Sequence, residues 1–240
     1  MTNRIIRASL FFPLFMFMAA PVAMASMIEY GAATTYDVTL KKLELCASGS
    51  AIDNTGSTAP TCVSPFVMGS NQQSFDIASV AAGADLGSYG SVTGVPAGTV
   101  YTYVRMTLSR TFSISGTLSP SGCISDSNDH SSSKTSAGYG IIGTGTAGAQ
   151  TLVLADVLAY GSYPQQSDYW QNGLDLAGDD FTYMVPLTAP VTFTAAMPDV
   201  RIVFNTQTAL SGNPVSMSSC MLYPNYPSIT ITITGGVTLS

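Results

Sequence analysis

Catalysis in this chain would have to come from few groups. Its single histidine, His130, sits among Ser, Asp and Asn in a Ser-rich stretch, where a relay to a serine nucleophile lacks the firm positioning it needs. Ser131-Ser132-Ser133-Lys134 spells S-x-x-K, but no S-D-N or K-T-G accompanies it. Gly138-Tyr139-Gly140-Ile141-Ile142-Gly143 matches G-x-G-x-x-G. It follows that same Ser-rich stretch rather than a strand, in a chain with no βαβ pattern, and so reads as a glycine loop. Asp126, Asn128 and Asp129 form one acidic group and Asp175, Asp179 and Asp180 another. Neither has the spacing and glycine of an EF-hand, and both read as solvated polar turns. No catalytic pair, no metal site and no cofactor is expected, and the chain is read as a non-enzyme.

Binding is better represented. Tyr160, Tyr163, Tyr169 and Trp170, the only tryptophan, surround Gln165, Gln166 and Asp168. Aromatic faces stack on the C–H faces of a sugar while amide and carboxylate groups take its hydroxyls. The candidate ligand-binding residues are therefore Tyr163, Asp168, Tyr169 and Trp170. The plainer reading is that these rings cap a core or a loop. Arg105 and Arg110 are expected to pair with acids such as Asp76 or Asp85 rather than to hold a ligand.

These residues must be positioned by a fold that the cysteines and the apolar pattern outline. Cys46, Cys62, Cys123 and Cys220 form an even set, and behind a secretory leader such a set favours disulfides. Three pairings are open. The favoured one joins Cys46 to Cys62 around a Ser/Gly/Thr-rich excursion and Cys123 to Cys220 across the second half of the chain.

The leader itself is read from Arg4 and Arg7, the apolar run Ala8 to Ala20 and the A-x-A site Ala23-Met24-Ala25. Residues 1–25 are expected to be a signal peptide, with Ser26 rather than a lipid-accepting cysteine after the cut. Residues 26–240 are expected to form one domain, exported to the periplasm, cell surface or medium. Beyond the leader no segment has the apolar length of a membrane helix, so no membrane insertion is expected. The part after the leader keeps six basic residues against fourteen acidic ones, a net charge of −8. Such a balance repels phosphate backbones and excludes nucleic acid as a partner. Only 9% of the chain is charged, against about 25% in an ordinary domain, so Ser, Thr and Gly dominate the polar surface.

Period-two patterns fill the chain. Tyr36, Val38 and Leu40 alternate with polar residues, then the phase shifts to Leu43 and Leu45 across Lys41-Lys42, which predicts a β-bulge. Val63 to Met68, Phe75 to Val80, Thr99 to Ser109, Phe112 to Gly116, Leu152 to Leu158, Phe181 to Leu187, Val191 to Ala195, Val200 to Phe204 and Ile229 to Ile233 read as strands. In the clearest of them Val100, Val104, Met106 and Leu108 are set on one face and Tyr101, Tyr103 and Arg105 on the other. No long helix is predicted. The expected fold is all-β, an antiparallel β-sandwich of roughly ten strands, immunoglobulin-like or prealbumin-like, with two disulfides and long loops near 47–61 and 119–149.

Within residues 75–108, Phe75-Asp76-Ile77 is followed by Gly83, then by Val95-Pro96-Ala97-Gly98, then by Tyr101 and Arg105. This segment resembles secreted bacterial domains of the prealbumin-like sandwich group, where a Pro-Ala-Gly turn leads into a Tyr- and Arg-bearing strand. The resemblance implies a sandwich fold and an envelope location, and it transfers no site residue. Together these features give the expectation of an exported structural or adhesive cell-surface protein. It would be a filament subunit that assembles with itself through the extension Ser26 to Thr35, acting as a donor strand. The alternative is a secreted or periplasmic glycan-binding module.

Overall fold

The computed structural model describes residues 28–79, 94–126, 132–143, 145–156, 165–194, 199–234 and 237–239. The expected leader, and Asp85, Asn128, Asp129, His130, Tyr160 and Tyr163, lie outside them. The elements are β1 (Glu29–Ala51), β2 (Thr61–Gly69), β3 (Gln73–Asp76), β4 (Val100–Ser109), β5 (Thr111–Ser119), β6 (Cys123–Ser125), β7 (Gly138–Ile142), β8 (Gln150–Val153), α1 (Gln166–Trp170), β9 (Leu174–Ala177), β10 (Asp180–Phe193), β11 (Asp199–Asn205), β12 (Leu210–Pro214), β13 (Ser219–Pro224), β14 (Ser228–Thr234) and β15 (Val237–Leu239). Every strand pairing is antiparallel. A large sheet holds all the strands but β11 and β14, which form a second, two-stranded sheet whose β14 packs on β10. Ile231 and Ile233 of β14 join Phe193 and Leu187 of β10 in one core, the burial that a sandwich exists to achieve.

β1 organises the large sheet. Its first half pairs with β5 and β12, and its second half with β4 on one edge and β2 on the other. The bulge predicted at Lys41-Lys42 is present: Leu40 faces Leu108 and Lys42 faces Thr107, so Lys41 is the extra residue. The slip keeps Leu40, Leu43 and Leu45 all in the core, and Lys41 reaches Asp180 at 2.5 Å.

A second bulge corrects the sequence reading of β4. Tyr103 faces Cys46 and Tyr101 faces Ala47, leaving Thr102 unmatched. Tyr101 therefore turns to the core, 1% exposed, with its ring 5.5 Å edge-on from Phe193. The same irregularity runs on into β10, where Pro186 faces Tyr103 and Val191 faces Tyr101. Phe181–Leu187 and the start of Val191–Ala195 are thus one strand rather than two. Other corrections are local. Residues 119–149 are not one loop but contain β6 and β7, and β1 runs on to Ala51, leaving only 52–60 as the excursion.

Six strands close on themselves in the order β1, β12, β13, β7, β6, β5 and back to β1. The ring is small, and its filling is tight: Leu118, Leu210, Leu222 and the cysteines of β6 and β13 are all fully buried. Glycines make this possible. A Cβ on Gly140 would meet Cys123 Sγ and Leu222 Cδ1, each at 2.9 Å, as well as the carbonyl of Ile124. Gly138 to Gly143 is therefore mostly strand rather than a glycine loop. Both disulfides pair as favoured, Cys46–Cys62 joining β1 to β2 and Cys123–Cys220 bridging β6 to β13 across β7. Two such bonds fit an oxidising compartment. No helix among the described residues is long and apolar enough to cross a membrane.

Candidate tyrosine-lined cleft

The outer face of the ring builds the candidate site. Tyr30 of β1 lies opposite Ser211 of β12, and Ser211 lies opposite Tyr223 of β13. Directly paired residues share a face, so the two tyrosines stand on the same side of the sheet with a small hydroxyl residue between them. They face outward because the alternate positions are committed to the ring's interior. A side chain on Gly31 would strike the backbone of Thr117, and one on Gly212 the backbone of Met221. Tyr30 is left 50% exposed and Ile28 57%.

The opposite wall comes from α1 and from Leu154 and Ala155. α1 is a single turn that starts where Asp168 Oδ2 accepts the backbone N–H of Gln165 at 2.7 Å, and the turn that follows it closes on Gly173, whose φ of +81° favours glycine. Tyr169 points down into the core. It is 5% exposed, its hydroxyl donates to the carbonyl of Ala155 at 3.0 Å, and burial drives its phenol well above the ordinary range. Asn172 donates from its side chain to the Asp168 carbonyl at 2.7 Å. Below, Asn225 is anchored to the carbonyl of Thr208 at 3.0 Å, and Tyr226 meets Tyr183 edge-on at 5.7 Å.

Between these walls lies a cleft of about 340 Å³, at the small end of the range for small-molecule sites. Its lining includes Tyr30, Tyr169, Tyr223 and Tyr226 together with Asn172, Asn213, Asn225, Ser211 and Asp168. Among the described residues no histidine, lysine or arginine lines it. The chemistry on offer is stacking on the C–H faces of a ligand and hydrogen bonding to its hydroxyls.

No family model, no curated protein and no solved structure matches this chain.

Its site is therefore defined by its own residues. Of the four residues expected from sequence, Asp168 and Tyr169 line the cleft, Trp170 does not, and Tyr163 is among those not described. The Trp170 indole N–H instead donates to Asp175 at 2.9 Å, joining α1 to β9. Tyr30, Tyr223, Tyr226 and the three asparagines were missed. One signal lies in the sequence: Tyr223-Pro224-Asn225-Tyr226 repeats the mixture of tyrosine and amide seen around Tyr169.

Other charged residues singled out in the sequence have structural partners where they are described. Arg105 pairs with Glu44 at 2.8 Å and Arg110 with Asp156 at 2.7 Å, rather than with Asp76. Asp76 instead accepts the backbone N–H groups of Tyr36 and Ala78. Asp175 holds Trp170, Asp179 holds Lys134 at 2.6 Å and Asp180 holds Lys41. Among the described residues no group of three or more His, Cys, Asp or Glu side chains could hold a metal ion.

Proposed function

We propose that this chain is an exported surface module whose adhesive contact is a carbohydrate held in the tyrosine-lined cleft. The observation that carries the proposal is the placement of Tyr30 and Tyr223 on either side of Ser211, facing Asp168 and Asn172. Export rests on the leader expected at 1–25 and agrees with the two disulfides. Calorimetric titration of residues 26–240 with a panel of neutral saccharides tests the ligand class. Binding that Tyr223→Ala removes is expected; no binding up to about 1 mM, or equal binding by the variant, would contradict it.

Assembly with itself is the second reading, favoured by the seat of the first strand. Tyr30–Asp37 pairs with β5, and Tyr30 and Gly31 also pair with β12, with β1 and β5 brought close by Gly31 on the one and Gly116 on the other. The segment fills its own chain's sheet rather than projecting from it. A filament would form by exchanging this strand between copies. Light scattering and negative-stain imaging of the intact chain decide the matter: SDS-resistant ladders support exchange, and a monomer at every concentration rules it out.

A further inference from the structure

The surface that carries Tyr223 continues past the cleft. The Tyr223 hydroxyl donates to Met221 Sδ at 3.2 Å, and Met221 lies directly opposite Tyr139 on β7. Paired residues share a face with their Cβ atoms about 5 Å apart, so Tyr223, Met221 and Tyr139 form one continuous apolar track. Tyr139 is 45% exposed, and Ile141, on the same face two residues on, is 41% exposed. Polar groups border the track as they border the cleft: Asn213 faces Met221, and Ser219 faces Ile141. Gly138 and Gly140 occupy the inward positions of β7, so the strand's whole outward surface is this aromatic and aliphatic pair.

Charge limits what can lie there. Among the described residues Asp168 is the one carboxylate of the cleft and no basic side chain lines it, and the chain as a whole carries a net charge of −6. Two of the cations nearby are already committed, Arg110 to Asp156 and Lys134 to Asp179. An acidic polymer would set like charge against like charge in a partly desolvated site.

Resting on the carbohydrate reading of the cleft, we infer that its ligand is an uncharged glycan chain longer than one sugar, with one ring between Tyr30 and Tyr223 and a following ring on Tyr139 beside Met221. The chain therefore has a second subsite outside the cleft. Stacking on an exposed aromatic is worth little for one unit and adds along a chain.

Calorimetry with neutral mono-, di- and tetrasaccharides of the gluco-, chito- and manno- series, and with tetragalacturonate, tests this. Affinity is expected to rise by about tenfold or more, or ~1.4 kcal/mol, from the monosaccharide to the tetrasaccharide. Tyr139→Ala should remove that gain and leave monosaccharide binding unchanged, and tetragalacturonate should bind at least about tenfold more weakly than its neutral counterpart. Affinity independent of length, a neutral Tyr139→Ala, or galacturonate binding as tightly would each overturn the inference. If any of these occurs while Tyr223→Ala still abolishes monosaccharide binding, the cleft reading survives and the second subsite falls. If no saccharide binds, both fall.

Discussion

Tyr30 and Tyr223 belong to opposite ends of the described chain, yet each lies directly opposite Ser211 in its own ladder. Strands are about 4.8 Å apart, so the two rings stand roughly 10 Å from each other at their roots, over a residue too small to fill the gap. The slot exists because the ring closes. Were β1 not seated between β5 and β12, Tyr30 would have no fixed position relative to Tyr223.

Filling that slot should abolish binding without harming the fold. Ser211 faces outward and its neighbours in the ring interior are unaffected by its size, so Ser211→Leu is expected to change stability by no more than about 0.5 kcal/mol. Saccharide titration and urea unfolding of the same variant check the two halves of this expectation.

Gly140 is predicted to resist replacement, like Gly31 and Gly212 of the same ring, whose Cβ atoms would also strike backbone. Gly140→Ala places a methyl 2.9 Å from Cys123 Sγ and against the carbonyl of Ile124, and overpacking of this kind costs about 1–3 kcal/mol. By contrast, Gly145 is opposed only by the far end of the Ile124 side chain, which has room to move. Gly145→Ala should therefore be milder, and paired urea midpoints report the difference.

The two disulfides should differ in their contribution. Cys123–Cys220 closes a separation of 97 residues and Cys46–Cys62 one of 16, for which loop entropy gives about 4.7 and 3 kcal/mol. Replacing the first pair by serines is expected to lower stability more than replacing the second, as read by urea unfolding. The first also staples the ring that builds the cleft, so its loss should weaken saccharide binding as well.

Acid should destabilise the fold through Glu44. Burial pulls its carboxyl upward, but bonds from Arg105 at 2.8 Å and Lys42 at 3.1 Å outweigh this and hold it below the ordinary range. A depressed folded value means the stabilisation is full above the unfolded glutamate value of about 4.3 and is lost as pH falls through the folded value. Glu44→Gln, which leaves the partly exposed Arg105 against a neutral partner, should cost about 1.5 kcal/mol near neutrality. The gap between variant and wild type should narrow below about pH 4; a gap that widens on acidification would contradict the assignment.

Much of the fold was legible because it follows from local pattern. The phase slip at Lys41-Lys42 announced its bulge, alternation announced most strands, and the separations of the cysteines favoured the pairing found. Tyr101 was misplaced because its bulge leaves no phase slip among apolar residues, tyrosine being equally at home on either face. β6 and β7 were missed because Ser and Gly, poor strand formers, are what a tight ring with a disulfide inside requires. The cleft was legible only on its α1 side, where Asp168 and Tyr169 are neighbours in sequence. Its other wall is assembled by ladders between β1, β12 and β13, a register that no single segment encodes.

The measurement that bears most directly on the central claim is a heteronuclear NMR titration of residues 26–240 with a neutral tetrasaccharide of the gluco-, chito- or manno- series. The account predicts shifts confined to Tyr30, Ser211, Tyr223, Asp168 and Asn172, with a second group at Tyr139 and Met221, all lost in Tyr223→Ala. Shifts elsewhere on the molecule, or none with any of the three series, would contradict it.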